Sequence, residues 1–151
     1  MFDMASTAAE HARLREAVLM DASTTLHLNQ TIARTADDVY AFVHHPANLP
    51  KWAAGLSAGI RRDAGRWVAD SPVGEVDVEF AEDNPFGVCD HVVTLPDGTS
   101  VLNPLRVLDD GPRCDVVFTL RRRDGVTDEA FEADRAAVVA DLESLRRLLE
   151  P

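Results

Sequence analysis

The chain has 151 residues, 46% hydrophobic and 27% charged, which is enough for one domain with a core of its own. Its formal net charge of −11 argues against nucleic acid as a partner, because tracking phosphates needs clustered Lys and Arg. The same balance argues against an anionic membrane surface, and solubility is the plain meaning of so much negative charge.

Residues 1–23, "MFDMASTAAEHARLREAVLMDAS", read as an Ala-rich helical or flexible extension outside the core, with Leu14, Ala17 and Val18 as a narrow apolar stripe. Glu10, Arg13, Arg15 and Glu16 break any signal-peptide core there. No apolar run in the chain approaches the roughly 20 residues of a membrane span, so no membrane insertion is expected. The extension leaves a homodimer or another partner surface open.

The main domain is read over 24–151. "TLHLNQTIAR" alternates, with Leu26, Leu28, Gln30 and Ile32 on one face, as in a half-buried strand. Thr35 then caps a short helix whose first turn carries Asp37 and Asp38. Pro46 and Pro50 stop that helix and allow a second turn near Asn48 to Trp52. This pair of short helices reads as a gate over a cavity.

Hairpins follow. "RRDAGRW" predicts a three-residue loop, Asp63-Ala64-Gly65, which sets Arg61 opposite Trp67. Through Ser71–Gly74, Trp67 sits beside Val78, with Val76, Val78 and Phe80 facing inward. "LPDGTS" predicts a turn at Pro96-Asp97-Gly98 that sets Val93 opposite Val101 and His91 opposite Asn103. "DDGPRC" predicts a four-residue loop over 109–112, setting Leu105 opposite Val116, Asn103 opposite Phe118 and Arg106 opposite Asp115. In these registers Cys89, His91, Val93, Val101, Asn103, Leu105, Val107, Cys114, Val116, Phe118 and Leu120 share one face. A one-residue slip would reverse such a set. Cys89 and Cys114 lack CxxC spacing and read as buried free thiols of a cytoplasmic protein. Finally Thr127 caps a helix of about 22 residues, with Phe131, Val138, Leu142, Leu145 and Leu149 on one stripe. The order is strand, two short helices, six strands and a long helix, an α+β layout with an antiparallel sheet.

With "NQTIARTADDVYAFVHHPANLPKW" and "AGRWVADSP", this order resembles the START-like, helix-grip superfamily, also called SRPBCC, in its polyketide cyclase/dehydrase-like branch. The resemblance covers roughly residues 24–150. It implies a seven-stranded antiparallel sheet wrapped around the C-terminal helix, a cavity between them, and two short helices closing its mouth. Members bind lipids, hormones, polyketides or quinones, and some cyclise or dehydrate their ligand. Fold alone does not assign an activity.

On the predicted inner face, Trp52, Arg61, Trp67, Phe80, His91, Asn103 and Phe118 are the candidate ligand-binding residues. The aromatic ones would stack on a planar molecule, and Asn103 or Arg61 would stabilise an enolate oxygen. His91 is the candidate catalytic residue, an acid–base group for an aldol or dehydration step. The bland alternatives are a structural His91, an Asn103 that satisfies backbone beside Pro104, an Arg61 reaching water, and a Trp52 packed in the core. His44-His45 has no further ligands near it, so no metal centre is read, and no motif calls for a cofactor. The leading expectation is binding of a small apolar or aromatic molecule, lipid-like or polyketide-like, in the cavity between sheet and C-terminal helix. The alternatives are a cyclase or dehydratase, and a non-enzymatic interaction or regulatory module.

Overall fold

The computed structural model describes residues 25–151 together with Glu10. The expected extension over 1–23 otherwise lies outside the described residues.

Strand β1 (Thr25–Ile32) leads into helix α1 (Ala36–Val43), a 3-10 turn (Pro46–Asn48), helix α2 (Leu49–Trp52) and a second 3-10 turn (Ala54–Leu56). Strands β2 (Ile60–Asp63), β3 (Arg66–Ser71), β4 (Gly74–Phe80), β5 (His91–Thr94), β6 (Ser100–Asn103), β7 (Leu105–Asp110) and β8 (Arg113–Arg121) follow, then helix α3 (Asp128–Leu149). Both predicted caps form. The Thr35 hydroxyl accepts from the Asp38 N–H, and the Thr127 hydroxyl accepts from the Ala130 N–H.

The antiparallel strands make two sheets, β1-β8-β7 and β2-β3-β4-β5-β6, so the described residues hold eight strands where a single seven-stranded sheet was expected. The difference sits at Pro104. Proline has no N–H to give a ladder and ends the strand, so β6 pairs with β5 while β7 pairs with β8. The seam is nevertheless closed. The His91↔Asn103 register continues as a Val88↔Arg106 bridge, with the Cys89 N–H donating to Leu105 O at 2.8 Å and the Val107 N–H to Gly87 O at 2.9 Å. On the far side the Thr119 N–H donates to Pro104 O at 3.0 Å. Asp90 takes the Leu105 N–H and a two-point contact from Arg106, both Arg106 bonds being 2.8 Å. Arg106 therefore pairs with Asp90, not with Asp115.

Two predicted registers differ. The β2–β3 loop is the two residues Ala64 and Gly65, both left-handed at φ 50° and 80°, the pattern of a type I′ hairpin. Arg61 is thus opposite Val68, and Arg62 is opposite Trp67. The β7–β8 loop is the two residues Gly111 and Pro112, which sets Leu105 opposite Phe118 and Leu108 opposite Asp115. That shift is two residues long, so it leaves every side chain on its expected face. The pairs Trp67↔Val78, Val93↔Val101 and His91↔Asn103 form as predicted.

Helix α3 turns Leu142 and Leu145 into a core that includes Ile32, Val39, Val43, Val76, Leu105 and Val116, and buries Phe131 near its start beside Arg122. Its C-terminal end is tied to the start of the chain. Arg34 donates to Leu149 O, and the Ala33 N–H donates to Glu150, each at 2.8 Å. Both cysteines are free and buried, and burial pushes their thiols up to about 12 for Cys89 and about 11 for Cys114, which leaves them inert packing groups.

Candidate functional site

Between the inner face of the larger sheet, the α2 segment and helix α3 lies a cleft of about 390 Å³. That size is within the range of small-molecule sites. Leu49, Trp52 and Leu56 wall it from the gate, Val76 and Val93 from the sheet, and Val138 and Leu142 from the helix. Four predicted site residues meet there: Trp52, His91, Asn103 and Phe118. The hairpin turn at 96–98 and the seam at Pro104 bring them together, because His91 and Asn103 are register partners and Phe118 faces Leu105 just beyond the proline.

His91 is the cleft's buried polar residue, only 7% exposed. Its Nδ1 lies 3.1 Å from the Cys89 carbonyl oxygen, which only accepts, so Nδ1 carries the proton. Nε2 is then the unprotonated nitrogen, and it has no hydrogen-bond partner among the described residues. Loss of solvent lowers the imidazole pKa below its ordinary value, against the opposing pull of the Cys89 carbonyl and the Asp90 charge, so the ring is neutral at pH 7. Phe80 stacks on it, ring centres 4.7 Å apart and planes 22° apart. The ring is thus fixed in position, tautomer and charge.

Trp52 is buried, and its indole N–H has no acceptor among the described residues. Such an orphan donor costs roughly 1–3 kcal/mol. Asp141, which the sequence reading missed, also lines the cleft. It lies three residues after Val138 and four before Leu145, so it flanks the apolar stripe, and a stripe's edge is where a half-buried polar group sits. Its Oδ1 accepts the Ala54 N–H at 3.1 Å, fastening the second 3-10 turn to α3, and burial raises its pKa.

The remaining predicted residues lie elsewhere. Trp67 and Phe80 line a larger, more polar groove of about 780 Å³ beside α1, shared with Tyr40, His44, His45 and Arg62. Arg62 lies over the Trp67 ring at 5.2 Å, and His44 Nε2 donates to Ala81 O at 2.6 Å. Because Phe80 faces the groove and His91 faces the cleft, their stack forms the wall between the two. Asp77, Glu79, Asp83 and Arg66 also line the groove, which gives it the chemistry of a solvated surface. The smaller cleft, lined mainly by apolar side chains between sheet and helix, is the better candidate site. Arg61 reaches neither. The one-residue difference in register turns it to the outer face, where it pairs with Glu75 at 2.9 Å and Asp70 at 3.6 Å.

No protein-family model matches this sequence, and comparison with curated protein sequences finds none that matches. Solved structures do resemble it. XoxI from Bacillus cereus is 13% identical, with a TM-score of 0.64 over 83% of this chain and 95% of that one. A START superfamily protein from Mycobacterium smegmatis is 12% identical, with a TM-score of 0.59 over 83% of this chain and 96% of that one. DynU16, a protein of the dynemicin biosynthetic locus, is 16% identical, with a TM-score of 0.62 over 83% of this chain and 47% of that one. These likenesses establish the fold: the chain has a START-like fold of antiparallel sheet and long C-terminal helix.

Proposed function

We propose that the protein binds a small apolar or aromatic molecule in the cleft between the larger sheet and helix α3. The observation that carries this reading is the cleft itself, about 390 Å³, with aliphatic and aromatic walls and few polar side chains. Its START-like fold is compatible with such a role. Trp52 and Phe118 supply aromatic surface, while His91 and Asn103 supply the groups that orient the ligand. The α2 segment, fastened by Asp141, is the gate. Among the described residues no helix is long and apolar enough to cross a membrane, and two buried free thiols suit a cytoplasmic setting.

Native mass spectrometry of the protein equilibrated with 2-naphthol tests the reading. A one-to-one adduct lost on denaturation supports it. An adduct-free spectrum at saturating 2-naphthol, with the protein folded, contradicts it.

A second reading, a cyclase or dehydratase acting on a polyketide-like chain, draws support from one observation. A neutral imidazole with an open Nε2 faces the same cleft as a carboxyl of raised pKa, the pairing of base and acid that proton transfer needs. A fold neighbour from the dynemicin biosynthetic locus fits that context. Turnover of a cyclisable poly-β-ketone that survives intact in His91→Ala would remove the role assigned to His91.

A further inference from the structure

The polar groups of the cleft specify more than an apolar ligand. Among the described residues no lysine or arginine lines it, although the chain carries 15 Lys and Arg residues. The cationic group nearest in sequence to the seam, Arg106, is held by Asp90 in a two-point contact. Asp141, the carboxyl group on the wall, supplies no positive charge, and its Oδ1 already accepts the Ala54 N–H. An anionic ligand would therefore give up water against a mainly apolar wall with no countercharge among the described residues, which is unfavourable.

The donors are equally restricted. Ser71 Oγ donates to Gly74 O at 2.7 Å and accepts the Val73 N–H, so both of its roles are filled. The Trp52 N–H is buried away from the cleft surface. His91 has committed its one proton to Cys89 O. Among the described residues, what remains is the Asn103 amide and a bare Nε2 on a ring that is nine-tenths buried. A lone pair so placed needs a donor, and leaving it unmatched against an apolar ligand carries a desolvation cost.

We infer that the cleft selects a neutral ligand carrying a hydroxyl, such as a phenol, enol or alcohol on an apolar body, which donates to His91 Nε2, and that it rejects carboxylates. This rests on the reading of the cleft as the ligand site and narrows it. Asn103, the register partner of His91, is placed to take an oxygen on the same edge of the ligand.

Isothermal titration calorimetry with three probes of one shape tests it: 2-naphthol, 2-methoxynaphthalene and 2-naphthoate, at pH 7.5. The expected order has 2-naphthol about tenfold tighter than its methyl ether, the worth of one good hydrogen bond. The carboxylate should be weaker than both. In His91→Phe, which keeps a ring against Phe80, the preference for 2-naphthol over the ether should fall to within twofold while the ether still binds. The wild-type ranking needs no variant, so a His91→Phe that fails to fold leaves the test intact. Naphthoate binding as tightly as naphthol, or an undiminished hydroxyl preference in His91→Phe, overturns the inference alone. Failure of all three probes to bind overturns the ligand-site reading beneath it.

Discussion

Replacing Gly87 with alanine drives a methyl group into the seam that joins the two sheets. Gly87 has φ +72°, and a Cβ built on it would lie 2.1 Å from the Val107 carbonyl oxygen and 3.1 Å from its carbon. Both are backbone atoms, so no side-chain rotation relieves the clash. The left-handed conformation costs an L-residue about 1–2 kcal/mol. Displacing the ladder loses the Val107 N–H to Gly87 O bond, about 1 kcal/mol, and forcing an extra methyl into a packed site costs about 1–3 kcal/mol. The expected loss is therefore about 4 kcal/mol, read as a drop of about 2 M in urea midpoint for a typical slope. Gly98→Ala is the control: φ is +87°, but a Cβ there meets nothing within 4 Å, so only the conformational cost of about 1–2 kcal/mol remains. Equal losses in the two variants, or less than about 1 kcal/mol for Gly87→Ala, would refute the claim that this seam is a close-packed joint holding Cys89 and His91 in place.

Other expectations follow from the same geometry. Because burial depresses the His91 pKa below 6.5, the unfolded chain binds the extra proton first. Stability should therefore fall as pH drops below 6.5 until the lower folded value is passed, and His91→Phe should flatten that slope in urea melts at stepped pH. Asp141 has the opposite sign: its raised pKa means the folded state takes up a proton above the ordinary 3.8. Asp141→Asn, which keeps an acceptor for Ala54, should leave the pH 7 melting temperature unchanged or higher. It should also remove an acid-side stabilising increment. Arg61→Ala breaks only exposed ion pairs and should leave the urea midpoint nearly unchanged without altering probe affinity. The two tryptophans report separately. Trp52 lines the cleft and Trp67 the groove, so a non-fluorescent cleft ligand should shift the emission of Trp67→Phe and leave that of Trp52→Phe unchanged.

How much was legible in the chain depends on which turns announce themselves. Asp97-Gly98 fixed the pairing of His91 with Asn103, because a glycine at the left-handed position marks its turn. The Ser71–Gly74 connection carried Trp67 to Val78. The Ala64-Gly65 turn was misread because an alanine holds φ 50° there, the sole non-glycine residue at positive φ among the described residues, and nothing in alanine's chemistry signals that. The cost fell on Arg61, since a one-residue slip exchanges faces, while the two-residue slip at Gly111-Pro112 cost nothing in facing. Pro104 was legible as a gap in a ladder but not as the point where the chain changes sheets. That depends on the Asp90 carboxylate taking the Leu105 N–H across the seam. Asp141 escaped because a charged residue beside an apolar stripe reads as the helix's solvated flank. The gate segment that covers it comes from residues nearly ninety positions earlier.

The most direct test is a two-dimensional amide and side-chain NMR titration with 2-naphthol. The account predicts saturable shifts at Trp52, Val76, His91, Phe118 and Leu142, with Tyr40, His45 and Trp67 unmoved. Saturable shifts confined to that second set, or none at all, would contradict it.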